Sequence, residues 1–254
     1  MKKANEAIRI DGTLCIGCGL CADDCIRESI LLVEGKAVVG DGECNNCGHC
    51  GAICPVGAVA YADGEDVPQP AGRMPAEEDV EWMMKHRRSV RHFLPEPVPQ
   101  EDIEKILDIG RYAPTARNAQ NVSFRILTES IGPLETFLDE KLLQLQQASG
   151  EAPQGERIRD GYIFRGAPCA VLVCSKTPAN ALISAAYMEL YAASMGYGGV
   201  YVGRLITALR QIPELREKIG LSAEDEPVTC FAFGKPAVRY QRVPQREPAD
   251  IRYL

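Results

Sequence analysis

Four thiols fall within eleven residues at Cys44, Cys47, Cys50 and Cys54, and an earlier run at Cys15, Cys18, Cys21 and Cys25 repeats their spacing. Both follow C-x2-C-x2-C-x3-C with an offset of 29 residues at every position, so the head of the chain is an internal repeat. Three thiolates at such short intervals can wrap one face of a compact inorganic cluster. Gly17, Gly19, Gly48 and Gly51 let the backbone approach its sulfides, where amides can donate hydrogen bonds. Zinc sites usually pair two close ligands with a distant second pair, a pattern this doubled run does not follow. Disulfides suit an oxidising compartment, and the N-terminus MKKANEAIRIDG lacks the apolar stretch of a secretion signal. The spacing points to iron–sulfur chemistry. His49 lies inside the second run and reads as a neighbour of the cluster, four thiols being at hand.

A second group of residues could hold an anion. In RRSVRHF, Arg87, Ser89 and Arg91 alternate, so an extended backbone would project them to one side, with Arg88 close by. Two guanidinium groups and a hydroxyl on one face suit a phosphate. On this motif alone, a solvated basic patch complementing a helix C-terminus is the simpler account. The loop PTARNAQ offers Thr115, Asn118 and Gln120, which are common turn formers but can also read the edge of a heteroaromatic ring. In ASMGYGGVYVGR, Gly196, Gly198, Gly199 and Gly203 break a helix and uncover backbone amides, although tight helix packing explains such glycines equally well.

The elements that must position these groups are legible in outline. Glu77, Glu78 and Asp79 suit the first turn of a helix running into VEWMMKHR. Ile103, Ile106, Leu107 and Gly110 fall at helical spacing, and Pro114 closes that helix. Ala181–Leu190 reads as a buried helix. Strands are expected at Val122–Thr128, which alternates, and at the apolar runs Cys169–Lys176 and Thr229–Pro236. Cys169, Cys174 and Cys230 lie in or beside these strands and read as small buried hydrophobes, not catalytic thiols. The chain of 254 residues, 46% hydrophobic and 25% charged, suits one large or two unequal globular domains. A net charge of −7 without a basic run excludes a nucleic-acid footprint. Ala179–Leu209 is the most apolar long segment, but it carries Glu189, Arg204 and Arg210 with its flank, so no membrane span and a cytoplasmic protein are expected. The domains expected are 1–62, a Pro- and Gly-containing acidic linker at 63–75, and 76–254.

Residues 8–62 resemble the bacterial two-[4Fe–4S] ferredoxins. That resemblance implies Cys15, Cys18, Cys21 and Cys54 on one cluster, and Cys44, Cys47, Cys50 and Cys25 on the other, because the fourth cysteine of each run crosses over. Pro55 follows the second run as in that family, whereas Ile26 stands at the matching place in the first. Residues 80–254, taken with their motifs in order, resemble the FMN-dependent nitroreductase family. The resemblance implies an α+β fold with a mixed sheet flanked by helices, and FMN as a second cofactor. It implies Arg87, Arg88, Ser89 and Arg91 at the FMN phosphate, and Pro114, Thr115, Ala116, Asn118 and Gln120 beside the flavin. It further implies Tyr201, Val202 and Gly203 against the ring, with a backbone amide facing flavin N5, and a C-terminal arginine, Arg242 or Arg246, completing the phosphate site. Thr115 replaces the usual serine, and Asn121 and Val122 depart from the usual Pro-Trp.

The two resemblances together imply an oxidoreductase that passes electrons from two [4Fe–4S] clusters to FMN and on to a small nitroaromatic or quinone-like acceptor. Reduced ferredoxin or NAD(P)H is the implied donor and a homodimer the implied assembly, with the helix from Ala181 as the interface. The cofactors do the hard chemistry, so no side chain is expected to act as an essential acid or base. A relay to a partner protein, a reductive dehalogenase and a flavin-modifying enzyme are the alternatives.

Overall fold

The computed structural model describes residues 2–62, 72, 74–149 and 161–254. Most of the expected linker, 63–71 and 73, lies outside them. Among the described residues, no helix is long and apolar enough to cross a membrane. The chain divides into two compact units. The first is Met1–Met74 together with Thr115–Ala119; the second is Pro75–Pro114 with Gln120–Leu254.

The first unit runs β1 (Lys2–Lys3), α1 (Ala4–Ala7), β2 (Ile8–Ile10), α2 (Leu20–Asp23), β3 (Ile30–Val33), β4 (Lys36–Val39), β5 (Glu43–Cys44), α3 (His49–Ile53) and β6 (Val59–Tyr61). Three antiparallel pairs, β1–β5, β2–β6 and β3–β4, frame it. The 29-residue repeat is visible in three dimensions. Gly19 and Gly48 precede α2 and α3 in the same left-handed conformation, at φ +81° and +84°, which a residue with a Cβ adopts only at a cost. Ala7, Ile8, Ile30, Ala37, Ala58 and Val59 form a small core with Cys15 and Cys21. So little apolar burial leaves a unit of this size marginal without a further staple.

The second unit runs α4 (Glu77–His86), α5 (Gln100–Arg111), β7 (Ser123–Leu127), α6 (Ile131–Ser149), β8 (Cys169–Cys174), α7 (Pro178–Ser194), β9 (Gly198–Tyr201), α8 (Gly203–Gln211), α9 (Glu214–Ile219) and β10 (Pro227–Gly234). Its sheet has the order β7-β8-β10-β9 with every neighbour antiparallel, and a parallel bridge joins Ser89 to Gly199 at its edge. The central strands are buried on both faces, which is why they read as unbroken apolar runs. Ala170, Leu172 and Cys174 of β8 face a core completed by Leu134 and Leu138 of α6 and Leu205 and Leu209 of α8. Cys169, Val171 and Val173 face the opposite core with Ile103 and Ile106 of α5 and Ala181, Ala185 and Met188 of α7. Helices on both faces of a sheet give the expected α+β class.

Two expectations change. The buried helix begins at Pro178, whose fixed φ suits the first turn, and runs to Ser194. The glycine-rich stretch after it forms β9, where the sequence suggested a turn with uncovered amides. Glycine is a poor strand former, but here small size is required: a Cβ on Gly199 would stand 2.2 Å from the Phe231 ring. The partner strand fills the space a side chain would have used.

Candidate functional site

In the first unit the cysteines ring two cavities. One is lined by Cys15, Cys18, Cys21 and Cys54 with Ile10, Val56 and Val59; the other by Cys25, Cys44, Cys47 and Cys50 with Ile8, Ile30 and Tyr61. Each cavity thus draws three thiols from one run and the fourth from the other. Among the described residues, no three potential ligands converge on a single-ion point. Backbone amides are aimed at the sulfurs: Ala37 N lies 3.5 Å from Cys15 Sγ, Asn46 N 3.2 Å from Cys44 Sγ and Ala58 N 3.2 Å from Cys54 Sγ. The bond from Ala37, followed by one from Gly17, lowers the pKa of the Cys15 thiol. Burial pushes Cys21 up and takes Cys50 to about 11. A donor set of four soft thiols around an apolar-walled space, with amides pointing at sulfur, fits an iron–sulfur cluster.

In the second unit a cleft of about 360 Å³ opens between α4, α7, β9 and the segment after β10. Its volume is in the range of ligand clefts, roughly 300–1,000 Å³. Three arginines line it: Arg87 and Arg88 just past α4, and Arg239 with Tyr240 and Gln241 on the C-terminal segment. Arg87 pairs with Glu189 of α7, whose side chain is only 11% exposed. Burial raises the Glu189 pKa, and the Arg87 charge and a hydrogen bond from Tyr201 oppose that rise. Burial and the neighbouring Glu189 push the Tyr201 phenol well above its usual range, so it remains a donor. Three guanidinium groups against one carboxylate leave the cleft net cationic, which fits a phosphate-bearing ligand.

The arginine motif is arranged differently from the alternation expected of it. Arg87 and Arg88 both line the cleft, whereas Arg91 is exposed and is not among its lining residues. Only an isolated bridge forms at Ser89, so no regular strand imposes a period of two; Tyr240 Oη donates to the Ser89 carbonyl at 3.2 Å. Arg239 reaches the cleft, and Arg242 and Arg246 do not line it. The C-terminal stretch 237–254 is irregular, so the sequence carried no periodicity that could single out Arg239.

The PTARNAQ loop is also reassigned in part. Ala116–Asn118 form a single 3₁₀ turn with Arg117 at φ +55°, and Thr115–Ala119 belong to the first unit. There Asn118 Nδ2 donates to the carbonyls of Asn46 at 2.7 Å and Asn45 at 3.3 Å. Pro114 and Gln120 fall in the second unit, and Gln120 has φ +45°. Among Tyr201, Val202 and Gly203, the Val202 amide is already committed to the Cys230 carbonyl at 2.8 Å. Asn121, which departs from the family pattern, accepts from Asn180 Nδ2 at 2.7 Å and donates to Thr177 Oγ1 at 3.3 Å, tying β7 to the start of α7. Cys169, Cys174 and Cys230 are core residues; burial takes the first two thiols to about 12 and about 11 and raises the third further.

A four-stranded antiparallel sheet between helices, with a cationic cleft at its edge and two four-cysteine cavities in a separate small unit, defines a redox protein of the α+β class. The nitroreductase family pattern matches residues 84–235, and a 4Fe–4S dicluster pattern matches residues 7–55. The chain belongs to the nitroreductase family and carries a dicluster ferredoxin domain ahead of it. An uncharacterized ferredoxin of Methanocaldococcus jannaschii is 39% identical over 56 residues, 21% of this chain and 90% of that protein. A 4-nitrobenzoate reductase of Pseudomonas putida is 41% identical over 51 residues, 20% of this chain and 22% of that enzyme, so the match spans about a fifth of that relative. A nitroreductase with bound FMN from Bacteroides fragilis shares the fold at 21% identity and a TM-score of 0.57, over 69% of this chain and 98% of that one. The FMN-dependent nitroreductase NfnB of Mycobacterium smegmatis, in complex with NADPH, does so at 19% identity and 0.52, over 67% of this chain and 95% of that one.

Proposed function

We propose that the chain is an FMN-dependent iron–sulfur oxidoreductase that takes electrons through its ferredoxin domain and reduces a small organic acceptor, nitroaromatic or quinone-like. The observation that supports this best is the pairing, in one chain, of a nitroreductase domain bearing an arginine-lined cleft with two four-cysteine cavities. FMN, when bound, accepts electrons singly and delivers them in pairs, which suits a donor domain that supplies one electron at a time.

The residues of the chain supply binding and orientation. Cys15, Cys18, Cys21 and Cys54 hold one [4Fe–4S] cluster, and Cys44, Cys47, Cys50 and Cys25 the other. Arg88 and Arg239, which line the cleft, would hold the FMN phosphate, and Glu189 pairs with the third cation, Arg87. Each charge-assisted contact of this kind contributes about 1.5–3 kcal/mol. The segment Tyr201–Gly203, which is not among the residues lining the cleft, would border the ring, and burial together with the neighbouring Glu189 keeps the proton on Tyr201.

The assembly we infer is a homodimer joined along α7. Leu182, Ile183 and Tyr187 leave apolar surface exposed on that helix, as do Val243, Ile251 and Tyr253 on the C-terminal segment. Reduced ferredoxin or NAD(P)H serves as donor. The test is anaerobic: the photoreduced protein is mixed with a panel of acceptors that includes 4-nitrobenzoate and quinones. Reoxidation with multiple turnovers per flavin supports the reading. If only a redox protein reoxidises it and no small molecule does, the chain is a relay and the proposal fails.

A further inference from the structure

Asn46 and Asn118 are separated by 72 residues, yet both adopt the left-handed conformation, at φ +51° and +52°, and meet within the first unit. A carboxamide has two N–H donors. Asn118 uses its nitrogen on two successive carbonyls, Asn46 at 2.7 Å and Asn45 at 3.3 Å. The Asn45 side chain is held from the other direction, its Oδ1 accepting from Arg27 Nε at 2.9 Å. The peptide so clamped is the one that serves the second cavity: Asn46 N points at Cys44 Sγ from 3.2 Å.

The internal repeat supplies a comparison. The residue 29 positions before Asn46 is Gly17, also left-handed at φ +72°, and its amide bonds the Cys15 thiol in the same way. The amide-to-sulfur bond is therefore common to both halves, while at the second half Asn118 adds a hold on the carbonyl of the donating residue. Amides directed at a cluster's sulfurs stabilise the more negative, reduced form, and so raise its potential.

We propose that Asn118 is a positioning residue for the second cluster: by clamping the Asn45–Asn46 backbone it fixes the Asn46 amide on Cys44 and holds that cluster's potential above the value it would otherwise have. The proposal rests on the two-cluster reading above. It gives the asparagine of the PTARNAQ loop a role toward iron–sulfur chemistry in place of the flavin contact that the sequence implied.

The experiment is an anaerobic redox titration of the full chain followed by electron paramagnetic resonance, comparing the parent with Asn118→Ala and Asn118→Gln. Cys47→Ser assigns the signal of the second cluster. The expected result is a more negative midpoint for the second cluster in Asn118→Ala, an unmoved midpoint for the first, and unchanged FMN content. Asn118→Gln, which keeps the donors, should recover at least part of the shift. Loss of the second cluster alone in Asn118→Ala, with recovery in Asn118→Gln, supports the same role. Two unmoved midpoints, with or without loss of FMN, overturn it. Failure of the underlying reading looks different: the parent itself would then lack about eight irons per chain, the content of two [4Fe–4S] clusters.

Discussion

Replacing Arg87 by alanine leaves the Glu189 carboxylate in place without its cation, and the consequence can be worked through. The Glu189 side chain is 11% exposed and that of Arg87 31% exposed, so the pair is partly buried. Removing one partner of a fully buried pair costs about 3–5 kcal/mol, whereas exposed pairs are worth about 0–1. With a third of Arg87 in water and Tyr201 still donating, about 2–3 kcal/mol at neutral pH is expected. The pH dependence has a definite sign. Burial already raises the Glu189 pKa above its ordinary 4.5, and losing Arg87 raises it further. The folded state then keeps a proton that the unfolded state has released, so stability falls as pH rises from the unfolded value through the folded one. The deficit of Arg87→Ala should therefore be larger at pH 7.5 than at pH 5, and Arg87→Ala/Glu189→Gln should show little of that dependence. Urea unfolding of the FMN-free chain can be followed by Trp82, the chain's one tryptophan, which stacks on His86 at 4.3 Å in α4 and reports on the second unit. Baselines are taken at each pH. A cost below about 0.5 kcal/mol, typical of a surface pair, or a larger cost at acid pH would refute the reasoning.

Gly199→Ala would put a Cβ 2.2 Å from a Phe231 ring that is fully buried and stacked on Phe233 at 5.4 Å. The overpacking should cost about 1–3 kcal/mol in the same Trp82 experiment and lower the flavin-to-protein ratio, since β9 walls the cleft. Arg239→Ala should weaken FMN binding about ten- to hundredfold by flavin fluorescence titration, the loss of one charge-assisted contact, and Arg246→Ala should leave it unchanged. Cys47→Ser should remove or alter one cluster, read as lost iron and acid-labile sulfide; Cys174→Ser, in the core of the sheet, should leave both clusters intact.

What could be read from the sequence was whatever physical rule left a local mark. Cysteine spacing marks a cluster site because ligands from a short loop must reach one object, and both runs line cavities in the structure. The central strands stood out because burial on two faces demands unbroken apolar residues. Strand β9 was hidden because its glycines answer to distant side chains, Gly199 to the Phe231 ring on β10 and Gly198 to Val90. The spread of the arginines was misjudged because Ser89 makes one bridge and not a ladder, so alternation had no backbone to act on. Arg239 escaped because an irregular segment carries no period, and the Asn118 clamp escaped because a turn former looks the same whether its amide faces solvent or a distant carbonyl.

The claim at the centre of the account is that electrons enter through the ferredoxin domain. Its most direct test is rapid mixing of reduced ferredoxin with the full chain under anaerobic conditions, with cluster bleaching and flavin reduction followed at separate wavelengths. The comparison is Cys18→Ala/Cys47→Ala, which removes one exposed ligand from each cavity and leaves the second unit untouched. The account predicts that clusters bleach before the flavin in the parent, and that the variant keeps its FMN but loses most of the rate of flavin reduction. Flavin reduction at the parental rate in a cluster-free variant would contradict it.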